Sequence, residues 1–203
     1  SNSNVDPYVL FAWQKMCEYM TDSISVADRV DIVKLKKLIP EIKKTMFMKA
    51  SLIQDRLTDI FSDCGIAFSI VPNFRGAPVQ GFVKNRDNGP LILCLTLRRN
   101  FADIFWFTLF HEIAHIINGD TKHVFIDFDS VSSKMESKAD ELAGEWLINP
   151  VDYRMFIDSK GYEKSIDIQR FADSQNVKDF IVLGRLMKDN IIPWSARTSY
   201  KWV

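Results

Sequence analysis

Residues 101–117 form an almost unbroken apolar segment into which one polar group, His111-Glu112-Ile113-Ala114-His115, is set. A segment this apolar predicts a helix covered on most sides, so the rest of the chain has to wrap around it. Asn118-Gly119 marks its C-terminal stop, and Asn100 with Asp103 is expected to cap its start. Imidazoles and a carboxylate inside such a helix are costly unless they find partners. At about 100° per residue, His111 and His115 lie about 40° apart on one face. Both rings can therefore converge on one ion, while Glu112 stands beside them within reach of a water. Zinc suits neutral imidazole ligands and needs no redox partner.

Composition narrows the setting. With 203 residues, 47% hydrophobic and 26% charged, the chain can bury one ordinary core, and a disordered class is excluded. Lys+Arg 26 balances Asp+Glu 26, so no global field exists to hold nucleic acid or an anionic membrane. The most apolar stretch, residues 104–110, falls far short of the ~20 residues of a membrane span. Cys17, Cys64 and Cys94 are odd in number and form no C-x-x-C, which argues against a disulfide framework and against a thiolate zinc site. The first residues, Ser1-Asn2-Ser3-Asn4, lack the charge and apolar run of a signal peptide. A reducing cytoplasm is the expected compartment.

Helical spacing is expected over residues 8–20 and 26–38, the second ended by Pro40. The basic excess over residues 34–56 reads as a solvated face. A helix over 51–63 stops near Gly65, and strand patterns follow at 66–71, 79–84 and 91–97. Beyond the apolar helix, a strand-like stretch at 123–128 leads to a helix over 134–148, stopped by Asn149-Pro150. Further helices are expected at 151–158, 165–174 and 178–189. The fold class is α+β, with a small sheet of three strands. Residues 1–50 form an N-terminal helical or linker segment, 51–150 the core with the metal motif, and 151–203 a helical subdomain packed on it.

A catalytic zinc takes three protein ligands, so a third is needed. The longer pattern H-E-x-x-H-x-x-G-x-x-H requires glycine and histidine where the chain has Asn118 and Thr121. His123 would need a tight return of the chain. On the helix over 134–148, Glu136 and Asp140 share an arc with Ala139, Leu142, Ala143, Trp146 and Leu147. Lys134, Lys138, Glu141 and Glu145 gather on the opposite side. Two carboxylates in a packed face call for a cation or a donor. Glu136 is thus expected as third ligand, and Asp140 as acceptor from the second nitrogen of a ligand histidine. The competing reading makes Ser133 and Glu136 a capping box and Asp140 an ordinary surface acid.

The stretch 105–117, with Glu136-x-x-Ala139-Asp140-x-x-Ala143 and Leu147-Ile148-Asn149-Pro150, resembles the ImmA/IrrE family of zinc metallopeptidase domains. Residues 90–97 resemble that family's strand before the active-site helix, and 180–186 its C-terminal helix, so the likeness spans roughly 51–190. It implies a zincin-like fold of the gluzincin type, zinc at His111, His115 and Glu136, and Glu112 as general base. Many relatives cleave or regulate DNA-binding repressors, and some carry an N-terminal helix-turn-helix domain as antitoxin-type transcriptional regulators. The resemblance therefore implies a helix-turn-helix repressor as protein substrate or partner, and a DNA-binding domain ahead of this segment. The chain departs from the pattern at Asp140, where asparagine is common, and at Asn149, inserted in a Leu-Ile-Pro ending.

The expected chemistry is peptide-bond hydrolysis, in which Glu112 accepts a proton from the attacking water and passes it to the leaving amine. His123, Tyr153 and Arg185 are candidate oxyanion donors, and the sequence does not choose among them. Residues 79–83 or 91–97 are expected to pair with an extended substrate as an edge strand. The alternative is a non-catalytic regulatory module on a peptidase scaffold, although such a module has no need of Glu112. A helix-turn-helix within residues 168–190 is disfavoured, because Ile181, Val182, Leu183 and Leu186 would crowd its recognition helix.

Overall fold

The computed structural model describes residues 6–27, 29–77, 79–86, 89–97, 101–120 and 130–196. Helix α1 (Pro7–Thr21) starts where the Asp6 side chain accepts from the N–H groups of Tyr8 and Val9, with Pro7 in the first turn. Helix α2 (Ile32–Lys44) starts later than expected, capped by Asp31, and runs through Pro40 instead of stopping there. A proline inside a helix removes one N–H bond and crowds the preceding turn. Burial of Leu35, Ile39 and Ile42 around it holds the helix across the defect.

Helix α3 (Ala50–Ser62) leads into β1 (Ile66–Val71), followed by β2 (Gly81–Lys84) and β3 (Leu91–Thr96). The sheet has the order β1-β3-β2, with β3 parallel to β1 and antiparallel to β2. Residues 91–97 therefore cannot serve as an edge, since β3 is paired on both sides; β1 and β2 are the outer strands of this sheet. Alternation along β3 splits the core in two. Leu91, Leu93 and Leu95 face the main core with Phe61, Phe68 and Phe110, while Ile92 and Cys94 face Trp13 and Cys17 of α1 across Phe82.

Helix α4 (Ala102–Asn118) buries Phe105, Trp106, Leu109, Phe110, Ile113, Ala114 and Ile116. Its N-cap is Phe101 with no side-chain bond, not Asn100, which lies outside the described residues. Packing rather than capping anchors this helix: truncating a buried Trp106 or Phe110 would cost ~3–5 kcal/mol. At the other end Gly119 takes a left-handed φ of 78°, and the chain turns back so that the Asp120 N–H bonds to the His115 carbonyl at 3.0 Å.

Helix α5 (Ser130–Leu147) is followed by α6 (Pro150–Asp158), which Asn149 caps, then α7 (Ser165–Ser174) and α8 (Asp179–Lys188). Helix α4 packs on β2 and β3 and also touches α5 and α8. Ala143 and Leu147 of α5, with Val182 and Leu186 of α8, enter the same core as the sheet. Helix α8 thus packs on α4 with Ile181, Val182 and Leu186 turned inward, and α7 packs on α8. The fold is α+β and mostly helical. Among the described residues no helix is long and apolar enough to cross a membrane. The strand expected at 123–128 lies outside the described residues.

Candidate metal centre

Helices α4 and α5 bring three expected ligands together. His111 Nε2 lies 3.0 Å from His115 Nε2 and 3.1 Å from Glu136 Oε2, and His115 Nε2 lies 3.3 Å from Glu136 Oε1. A tetrahedral ion with bonds of 2.0–2.1 Å separates its donors by about 3.3–3.4 Å. The two imidazole nitrogens approach that spacing and each meets a different oxygen of Glu136, so the three side chains converge closely enough to hold a small ion. Two neutral nitrogens and one carboxylate are also a donor set that zinc accepts.

The outer nitrogens are occupied by carboxylates. Asp140 Oδ1 lies 2.8 Å from His111 Nδ1, so the ring can donate there and turn the Nε2 lone pair inward. Lys188 Nζ donates to the other Asp140 oxygen at 3.1 Å and sits 4.4 Å over the Phe107 ring. Asp120 Oδ2 stands 3.6 Å from His115 Nδ1, an ion-pair rather than a hydrogen-bond distance. Asp120 does not figure in the sequence reading. Its only signal was the position just after Gly119, where a left-handed turn folds the next residue back over the helix end.

Helix α5 begins at Ser130, so Ser133 lies inside it and cannot be the cap that the capping-box reading required. Lys134, Lys138, Glu141 and Glu145 are exposed, as the wheel expects. Glu136 differs from expectation in burial. Its side chain is 56% exposed, placed on the correct side of the wheel but at the open rim of the α4–α5 seam.

Glu112 faces β2. A Cβ added to Gly81 would overlap the Glu112 side chain, so any larger residue there requires the carboxylate to shift. Next to it, Thr108 Oγ1 lies 3.4 Å from Gln80 Oε1. Burial lifts the Glu112 carboxyl to about 7, against the pull of His111 and His115. An acid poised there can both take and return a proton near neutral pH.

No protein-family model and no curated protein matches the chain.

The electrostatics of the cluster favour a positive charge at its centre. Burial pulls His111 down, but its bonds to Asp140 and Glu136 outweigh this and hold it at about 9. His115 is also raised, burial again being outweighed by Glu136. Hydrogen bonds from His111 and His115 hold Glu136 far below the carboxylate range, and His111 followed by Lys188 lowers Asp140. A divalent ion would meet the same demand with more charge.

Of the three candidate oxyanion donors, only Tyr153 and Arg185 belong to the described residues. His123 lies outside the described residues. The Tyr153 hydroxyl is buried, and the Arg185 guanidinium stands 5.2 Å over its ring while Nε donates to Asp189 Oδ2 at 2.7 Å. Neither side chain hydrogen-bonds to His111, Glu112, His115 or Glu136.

Proposed function

We propose that the chain is a zinc-dependent endopeptidase of the H-E-x-x-H type with His111, His115 and Glu136 as ligands. The observation that carries this reading is the convergence of His111, His115 and Glu136, whose ligand atoms lie within 4.8 Å of one another, beside the Glu112 carboxyl on the same helix. When bound, zinc supplies Lewis acidity that polarises the scissile carbonyl and eases ionisation of water. Glu112 accepts the proton of the attacking water on its carboxylate and returns it to the departing amine. Asp140 and Asp120 hold the two imidazoles in register. Beside Glu112, the outer edge of β2 offers backbone groups to an extended peptide, which favours a polypeptide substrate.

The substrate proposed is a helix-turn-helix repressor or a related regulatory protein, on the strength of the resemblance to the ImmA/IrrE family. The test is incubation of zinc-loaded protein with such a repressor, read by intact-mass spectrometry. Wild type should yield two fragments, and Glu112→Gln should keep the metal and yield none. An uncut repressor whose operator binding still changes would instead support the regulatory-module reading.

A further inference from the structure

A cavity of about 300 Å³ lies between α4, α5 and α8. Its wall on α4 is Ile104, Phe107 and Thr108, and one turn further along the same helix stand His111 and Glu112. On α5 the wall is Gly144 and Leu147, and one turn back from Gly144 stands Asp140. On α8 it runs from Ile181 through Gly184 to Lys188, which reaches Asp140. All three helices therefore carry the cavity wall directly into the metal centre. Phe107 closes the distance, its ring 6.2 Å from that of His111.

Two helical glycines contribute to this space. Glycine inside a helix costs roughly 1 kcal/mol relative to alanine, and neither Gly144 nor Gly184 adopts a positive φ that would require it. At Gly184 a Cβ would press on Asp103 at 3.0 Å. At Gly144 the one atom a Cβ would meet within 4 Å is the tip of Arg185, 2.7 Å away. Backbone geometry thus does not demand Gly144; its missing side chain makes room for the Arg185 guanidinium in the cavity wall, and a larger residue there would push into the cavity. The two cations in the wall already have carboxylates, Arg185 with Asp189 and Lys188 with Asp140, so the cavity does not call for an anion. Gln80, Asp103 and Thr108 add polar groups at the wall, but most of the remaining lining, with Ile104, Phe107, Leu147, Ile148 and Ile181, is apolar.

We infer that this cavity receives one bulky apolar side chain of the substrate peptide, from a residue flanking the cleaved bond. Gln80, which lines the cavity, immediately precedes β2, so a peptide paired along the β2 edge passes over the opening and presents a side chain to it. The volume stands at the small end of ligand sites and suits a single leucine, methionine or phenylalanine side chain. This rests on the peptidase reading and adds the substrate class to it.

Two measurements separate the failure of one from the failure of the other. In the first, zinc-loaded wild type and Gly144→Val are given a degenerate peptide mixture and the cleaved bonds are mapped. Wild type should favour leucine, methionine or phenylalanine at one position beside the cut. Gly144→Val should lose at least about tenfold in kcat/KM on those peptides and little on peptides with alanine there. Gly144→Ala, a milder filling, should shift the preference toward smaller side chains. In the second, metal-free protein is titrated with N-acetyl-leucinamide and N-acetyl-glycinamide while the Trp194 indole signal, at the cavity wall, is followed by NMR. The leucine probe should shift it in wild type and not in Gly144→Val. Cleavage with no apolar preference, or with one that survives in Gly144→Val, overturns the inference and leaves the peptidase reading standing. Selective binding of the leucine probe with no peptide cut overturns the peptidase reading and the substrate assignment together.

Discussion

His111 Nδ1 lies 2.8 Å from Asp140 Oδ1, and the second oxygen of that carboxylate is held by Lys188 at 3.1 Å. The ring orientation that presents Nε2 inward therefore depends on a carboxylate fixed from both sides. Asp140→Ala should weaken zinc binding about 10–100-fold without removing a ligand. Glu136→Ala should cost more, whereas Glu141→Ala and His123→Ala should cost little. Competition titration against a chelator measures all four, and an indispensable His123 beside a dispensable Glu136 would remove α5 from the centre.

Asp120 holds His115 more loosely, at 3.6 Å. Asp120→Ala should therefore weaken zinc by less than Asp140→Ala does, under about tenfold in the same titration. A larger loss than for Asp140→Ala would mean that His115, not His111, is the ring whose orientation limits affinity.

Gly81 should act on Glu112 alone. Gly81→Ala places a methyl group where the carboxylate lies, so zinc content should be unchanged while cleavage falls about 100-fold, the scale of a misplacement of about 1 Å. If the variant loses its metal instead, Gly81 supports the fold of the centre and not the position of the base.

The acidity of His111 sets the pH dependence. In the metal-free protein it stands at about 9, above its ordinary 6.5, so a proton competes with the ion up to that pH. The logarithm of zinc affinity should rise by about one per pH unit between roughly pH 7 and 9 and then level. The linked effect on folding has the opposite sign. A raised histidine contributes stability that is complete below 6.5 and is lost as the pH rises through 9, so the melting temperature of the metal-free protein should fall across that window. Zinc affinity that is flat above pH 7 would contradict this account.

The centre was legible where helical period alone decides geometry. The spacing of His111 and His115 puts them on one face in any helix, and the wheel of α5 placed Glu136 and Asp140 on one side and Lys134, Lys138, Glu141 and Glu145 on the other. Tertiary contacts have no such period. The approach of β2 to Glu112 depends on how the sheet lies under α4, so Gly81 stood out only in three dimensions. Asp120 needed the left-handed turn at Gly119 to bring it back over His115. Pro40 misled because local stereochemistry argues for a stop, while the buried Leu35, Ile39 and Ile42 hold the helix together on both sides of it. The exposure of Glu136 was equally hidden, since the wheel gives direction and not the depth of the seam.

The central claim is that His111, His115 and Glu136 hold one zinc ion, and metal content after saturation with zinc and exhaustive desalting tests it most directly. Wild type should retain one zinc per chain, and its melting temperature should drop on chelation, since an ion bound to the native state at 100 times its Kd stabilises it by about 2.7 kcal/mol. His115→Ala should retain none. A wild-type chain that emerges free of zinc, or a His115→Ala chain that keeps a full equivalent, would contradict the account.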